Sequence, residues 1–365
     1  MSTAVNTWHL KMKDARQIWQ TFCRDLEAAG SAVFDTDLVL TEMDEAESVR
    51  YLSRLLRIGL EMHLENADAS YPTFYQASHE TAKIGADNPD NHYQNATING
   101  SNTYRIHGYR GTVPILSFAT KANRYAIDGS MASTGELDSG DMEIASDGSF
   151  EITVSRHQTR GNWLPLEEDS SILIVRQTFF DRTDEILANV SIESVDCSAP
   201  PAPITLAGAS RALQLAPAFI NGTARTFVEW AVDFRNKNNN RLSTLDQSRF
   251  VRAGGDPTIH YLHGWWELSA HQRLEISSEL PVCEGWNFQL NNVWMESLDY
   301  RHHQIHLNNK TAVPESDGRV KIVVAHEDPG HPNWIRTTGH PCGTMLWRWT
   351  SAQTQPVPKV EVVTL

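Results

Sequence analysis

The stretch DGSFEITVSRHQTRGNWLPLEEDSSILIVRQT, residues 147–178, can be laid over DGRVKIVVAHEDPGHPNWIRTTGHPCGTMLWRWT, residues 317–350, with two single-residue length adjustments. The superposition pairs Asp147-Gly148 with Asp317-Gly318, Ile152 with Ile322, Val154 with Val324, Asn162-Trp163 with Asn333-Trp334, and Arg176 with Arg348. Apolar residues at every second position mark a half-buried strand, and Asp-Gly marks a tight turn. Each copy therefore reads as turn, alternating strand, loop carrying Asn-Trp, and a strand containing an arginine. A further strand pair precedes each copy, at 104–120 and 272–292. Self-similarity on this scale signals a duplicated unit. The fold class expected is mainly β: two related β-sandwich or jelly-roll-like units whose alternating inward residues build the cores, with N-terminal helices and a helical segment between the units.

Outside the copies the period changes. Ala15, Ile18, Trp19, Phe22 and Leu26 recur at helical spacing, with Gly30 placed to end the helix in a left-handed conformation. Thr41, with Asp44 three residues on, is a capping pair for a second helix carrying Val49, Leu52, Leu56 and Leu60 on one face. Residues 66–91, which include Asp87-Asn88-Pro89-Asp90-Asn91, favour turns and read as a connector. Pro200-Pro201-Ala202-Pro203 cannot continue a ladder, and Phe227, Trp230, Ala231 and Phe234 then form a helical stripe. The expected division is a helical region over 1–84, a first β unit over 85–184, a helical connector over 185–260 and a second β unit over 261–365.

The 365 residues are 40% hydrophobic and 21% charged, which excludes a disordered or collagen-like chain. No run approaches the roughly 20 apolar residues of a membrane helix, and the N-terminus lacks the apolar core of a secretory signal. A cytoplasmic protein with no membrane partner is expected. The formal charge of −14, without a Lys/Arg cluster, would repel phosphate backbones and argues against nucleic acid. Cys23, Cys197, Cys283 and Cys342 are widely spaced with no C-x-x-C pair, so they read as reduced thiols. Gly254-Gly255-Asp256-Pro257 reads as a turn, lacking the spacing and lysine of a nucleotide loop.

Several segments carry a resemblance. Asp87-Asn88-Pro89-Asp90-Asn91-x-Tyr93, Tyr104-Arg105-Ile106-x-Gly108-x-Arg110-Gly111 and Gly161-Asn162-Trp163-Leu164-Pro165 are three of them. The fourth runs from Asn292-x-Trp294-x-Glu296-Ser297-Leu298-Asp299-Tyr300 through Val324-Ala325-His326-x-Asp328-Pro329-Gly330-x-x-Asn333-Trp334. Together, over roughly residues 85 to 351, they resemble the bacterial domain of unknown function 1214 (DUF1214) family. The resemblance implies a β-rich fold, bacterial origin and frequent partnership with a second β-rich domain of unknown function, with no catalytic residues to carry over. The family's Asn-Trp pair is followed by Leu-Asp-Thr or Leu-Pro-Thr. Here Ile335-Arg336-Thr337 stands instead, so no acidic role transfers to position 336.

Nine of the fifteen histidines fall within 260–340, which draws attention to the second copy. His326 and Asp328, with His340, are the candidate acid–base residues of a lyase or hydrolase step, because an imidazole and a carboxylate can exchange a proton near pH 7. The first copy has Arg156 and Gln158 at the positions of His326 and Asp328. The blander expectation is that Asp328 closes an Asx turn and His326 bonds a carbonyl. His326, Asp328, His331 and His340 are ligand types that a divalent metal would accept, but their spacing matches no metalloenzyme pattern and no cofactor is named. His302 and His306 would share one face of a strand.

Seven of eleven tryptophans follow residue 260 and offer flat walls for an aromatic, steroid-like or sugar ring. Trp294, Trp334, Asn333 and Arg348 are the candidate substrate-binding residues. Arg176 and Arg348 would each anchor a carboxylate or act as internal struts with Glu296 or Asp299. Three functions follow: an enzyme acting on a small amphipathic or aromatic metabolite, a non-enzymatic binding module for such a molecule, or a homo-oligomer assembled through the N-terminal helices.

Overall fold

The computed structural model describes residues 2–197 and 199–365, with side chains described from residue 14. The chain opens with α1 (Ser2–Ala29), α2 (Ser31–Phe34) and α3 (Glu42–Leu60), the last running on into a π-helical turn, Glu61–Glu65. The first run of strands is β1 (Asn91–Thr97), β2 (Tyr104–Tyr109), β3 (Ile115–Arg124), β4 (Ser130–Asp138), β5 (Ser149–Ser155), β6 (Asn162–Pro165), β7 (Ile172–Thr178) and β8 (Asn189–Ser194), with the single turn α4 (Tyr125–Asp128) after β3. Then come α5 (Leu206–Lys237), β9 (Arg241–Thr244) and α6 (Gln247–Arg252). The second run is β10 (Ile259–Glu267), β11 (Gln272–Ser278), β12 (Gly285–Leu290), β13 (His306–Asn308), β14 (Val320–Ala325), β15 (Trp334–Arg336), β16 (Cys342–Thr350) and β17 (Lys359–Thr364).

The two runs have one topology. The first makes sheets ordered β1-β7-β3-β4 and β6-β5-β2-β8, and the second makes β10-β16-β12-β13 and β15-β14-β11-β17. Each strand thus has its counterpart nine places later, down to the parallel pairs β5·β6 and β14·β15. The turns that open the aligned copies match as well: Gly148 and Gly318 have φ of 85° and 82°, a region open to glycine at no steric cost. The expectation of two related, mainly β units joined through a helix is met in full.

Within each unit the two sheets share an apolar core, and a third core lies between the units and the helices. Leu173 and Val175 of β7 join the core of the first unit, while Ile172 and Ile174 join the shared core. Met345, Trp347 and Trp349 of β16 fill the second unit, where Trp347 stacks on Trp286 at 4.9 Å, while Leu346 belongs to the shared core. Strands alternate faces, so Arg176 and Arg348 fall on the same side as these shared-core residues. Both faces of β7 and β16 are therefore buried, which explains why an arginine interrupts an apolar strand in each copy.

Helix α5 closes the third core with Phe219, Phe227, Trp230, Ala231 and Phe234. Thr205 caps it, its hydroxyl oxygen accepting from the Gly208 N–H at 3.0 Å. A Cβ on Gly222 would lie 1.8 Å from the Tyr125 carbonyl oxygen, so the approach of α5 to α4 requires glycine. Gly222→Ala is expected to cost about 1–3 kcal/mol through overpacking, measured by urea unfolding. An unchanged midpoint would show that α4 moves aside freely.

Four expectations need correction. Gly30 is right-handed, φ −78°, because the chain continues directly into α2. The buried face of α3 is Tyr51, Leu55 and Ile58, and Val49 is exposed; the Thr41–Asp44 capping box is present as expected. The first unit extends past residue 184, since β8 hydrogen-bonds β2 along its length. Residues 301–305 lie outside any strand, so His302 and His306 do not share a strand face; only His306 enters β13.

Candidate functional site

The segment 86–90, part of the stretch 66–91 read as a connector, is buried and threads across the second unit. Asp87 accepts from the Ser297 N–H (2.9 Å) and hydroxyl (2.8 Å), and the Gln289 amide donates to the Asp87 carbonyl at 2.9 Å. Asp90 accepts from Asn287 (2.9 Å), Asn308 (3.0 Å) and His306 (3.0 Å). Burial disfavours the Asp90 carboxylate, yet the charge and hydrogen bond of His306, with the two amides, hold its pKa below the ordinary value. Lys83 donates to the Ser297 and Leu298 carbonyls, and Arg54 pairs with Glu296 at 2.7 Å. Burying a polar group costs free energy unless it is hydrogen-bonded, and here the strap and the loop after β12 satisfy each other.

Next to the strap, between the inner sheets of the two units and beneath α5, lies a cavity of about 180 Å³. Phe219, Phe227, Trp230 and Met62 form an apolar side. The lining also includes Arg176 and Arg348 with Tyr93 and Tyr261, the two tyrosines that pair with those arginines across β1·β7 and β10·β16. The repeat thus delivers the same Arg–Tyr pair twice to one cavity. His263 joins the wall, stacked on Phe234 at 4.8 Å and against Phe250 at 4.5 Å. Burial, with Arg348 and Arg249, pushes its pKa well below the usual histidine range, so the imidazole is neutral.

The two arginines are held differently. Arg348 donates from Nη1 to Asn287 Oδ1 (3.2 Å) and Gln289 Oε1, and from Nη2 to the Ala86 carbonyl of the strap. Arg176 donates from Nη2 to the Gly254 carbonyl at 2.7 Å, its Nη1 lies 3.7 Å from Asp256 Oδ2, and that Nη1 has no hydrogen-bond acceptor. The reason is in the register. Asn287 pairs with Arg348 across β12·β16, and Gln289 lies two residues further on; their counterparts beside Arg176 on β3 are Ser117 and Ala119. Those side chains are too short to reach the guanidinium.

A profile described as a protein of unknown function, DUF1214, matches residues 88–178 and 265–352, one match in each unit. A crystal structure of an uncharacterized protein from Burkholderia cenocepacia is similar over 95% of this chain and 97% of its own, with 47% identity and a TM-score of 0.93. The chain belongs to the DUF1214 family. A crystallised Vibrio parahaemolyticus protein aligns over 93% of this chain and 100% of its own at 10% identity and a TM-score of 0.49. No curated protein matches the chain.

The DUF1214 segments recognised in the sequence are mostly locks. Asn162 clamps the Glu143 backbone and donates to the Glu151 carbonyl, and Asn333 does the same to Val313 and Lys321. Trp163 and Trp334 donate their indole N–H to the last carbonyls of β5 and β14, Ser155 and Ala325, each at 3.1 Å. Asn333 and Trp334 therefore brace the turn between strands and lie away from the cavity. Trp294 is fully buried, stacked on Tyr51 at 6.0 Å with its N–H toward the Asp44 carbonyl, and is no cavity wall either. Of the tryptophans, Trp230 of α5 lines the cavity, and the C-terminal tryptophans other than Trp334 are core instead of walls. Arg348 does line it, with both Nη atoms bonded; Glu296 and Asp299 bind Arg54 and Arg301 and strut neither Arg176 nor Arg348.

The DUF1214 histidines are likewise dispersed. His326 bonds the Thr337 hydroxyl at 2.8 Å and the Leu268 carbonyl at 3.3 Å, while Asp328 is exposed and closes an Asx turn on the Gly330 N–H at 2.8 Å. The two do not touch, which removes the geometry an acid–base couple requires. His331 accepts from the Asn333 N–H. Among the described residues no three His, Cys, Asp or Glu side chains gather as ligands of one ion, so the set of His326, Asp328, His331 and His340 is not assembled. His340 is elsewhere, pairing through Nε2 with Glu47 of α3 at 3.0 Å on a separate polar cleft. Sequence reasoning missed Glu47, Tyr93, Tyr261, His263 and the difference between the arginines; extending the alignment back through β3 and β12 exposes the last.

Proposed function

We propose that the protein binds a small amphipathic molecule in the cavity between its two β units. The observation that carries this reading is one cavity lined both by aromatic residues of α5 and by the arginines of the two matching strands. Pockets of this make-up take an apolar body and orient it with a few polar groups. The volume suits one ring with a head group, since an apolar cavity of about 150 Å³ holds benzene. The reading favours binding over turnover, because His326 and Asp328 stand apart from each other and from the cavity wall.

The test is a thermal-unfolding series with phenol, benzyl alcohol and phenylacetate. At a hundredfold excess over Kd a ligand adds about 2.7 kcal/mol, so a rise of several degrees in Tm is expected for at least one probe. Ala77→Leu, which fills the wall, is expected to abolish that rise. Absence of any shift in the wild type, or a shift that Ala77→Leu leaves intact, would sink the reading.

A further inference from the structure

We propose that Arg176 is the anchor of this cavity and that it takes the carboxylate of a small aromatic acid; the proposal rests on reading the cavity as a ligand site. Arg176 is 8% exposed and lines the cavity, and its Nη1, itself covered and 3.7 Å from Asp256 Oδ2, has no acceptor. A buried guanidinium donor left open costs free energy, and a carboxylate arriving on the wall would supply the missing acceptor in a charge-assisted bond. The internal duplication provides the control. In the second unit, Asn287 and Gln289 fill the acceptor positions around Arg348; in the first unit, Ser117 and Ala119 leave them vacant.

The charges around Arg176 are paired, so an arriving carboxylate is recognised by an open hydrogen-bond donor rather than by surplus positive charge. Asp256 is its near counter-ion at 3.7 Å, and Lys121 lies close by, bonded to Glu136 and to the Gly255 carbonyl at 3.4 Å. Arg348 contributes a second guanidinium to the wall, and Asp87, also on the wall, has both oxygens engaged by Ser297. His263 Nδ1 is a second buried polar atom without a partner, suited to a further hydrogen bond from a neutral ring. The aromatic side is lined by Phe219, Phe227 and Trp230, which suits a ring as the body of the ligand.

The experiment is calorimetric titration of the full chain, at fixed ionic strength, with benzoate and phenylacetate and with their neutral isosteres benzamide and phenylacetamide. The acids are expected to bind at least tenfold tighter than the amides. Arg176→Gln is expected to bring the acids down to the amides. Ala119→Gln, which gives Arg176 the acceptor that Gln289 gives Arg348, is expected to do the same with the arginine retained, and it decides the matter if Arg176→Gln fails to fold. Acids and amides binding alike, or an acid preference that survives both substitutions, would overturn the carboxylate anchor while leaving the cavity a ligand site. Failure of all four probes to bind would overturn both readings.

Discussion

Arg348→Met is expected to destabilise the fold by about 3–5 kcal/mol, the cost of removing one member of a buried charged network. The side chain is 5% exposed and supplies donors to Asn287, Gln289 and the Ala86 carbonyl. Methionine keeps the stem and removes the donors, so three buried acceptors lose a partner, each worth about 1–3 kcal/mol when left bare. The loss propagates, because Asn287 and Gln289 also hold the strap at Asn88, Asp90 and Asp87. Urea unfolding checks this. Arg176→Gln is expected to cost clearly less, since Arg176 makes one backbone bond and one longer ion pair. Equal costs for the two variants would contradict the division of labour between them.

His340→Ala is expected to cost about 3–5 kcal/mol near pH 5.5 and only about 1–2 kcal/mol near pH 9. The imidazole ties the second unit to α3 through Glu47, which also accepts from Arg50 and, at 2.9 Å, from Asn292. Burial opposes the imidazolium, but the hydrogen bond and charge of Glu47 outweigh it and raise the pKa of His340 above 6.5. Burial opposes the Glu47 carboxylate too, yet His340, Arg50 and Asn292 hold its pKa below 4.5. A raised histidine pKa stabilises fully below 6.5 and loses its contribution as pH rises through the folded value; a lowered carboxylate pKa stabilises fully above 4.5 and loses it as pH falls. The ion pair therefore contributes most between about pH 4.5 and 6.5, and once the pH passes the raised histidine pKa it leaves a hydrogen bond from the neutral imidazole to the Glu47 carboxylate. Urea midpoints of wild type and variant at the two pH values measure the difference. A pH-independent cost would show that His340 acts through packing alone.

The architecture was legible because duplication writes the same pattern twice. Asp-Gly, alternating apolar residues, Asn-Trp and a strand arginine recur in register, and each recurrence has a local physical cause: a left-handed turn, a two-faced strand, a backbone clamp and a shared core. The site was less legible, for three reasons. Histidines and tryptophans draw attention by residue type, but His326 and Asp328 complete hydrogen bonds of strand ends and turns. Trp294, Trp347 and Trp349 fill cores because large rings supply the most burial per residue. The cavity wall, by contrast, is assembled from β1, β7, β10, β16 and α5, segments far apart in sequence whose meeting depends on tertiary packing. The polar strap at 86–90 illustrates the same limit: Asp, Asn and Pro favour turns locally, and only the partners at Asn287, Gln289 and Ser297 make a buried site for them.

The most direct test of the account is a crystal structure of the protein grown with phenylacetate. The account predicts the ring against Phe219, Phe227 and Trp230, and one carboxylate oxygen within hydrogen-bond distance of the Arg176 guanidinium, with Arg348 still bound to Asn287 and Gln289. Phenylacetate on Arg348 with its amide partners displaced, or an empty cavity at saturating concentration, would contradict it.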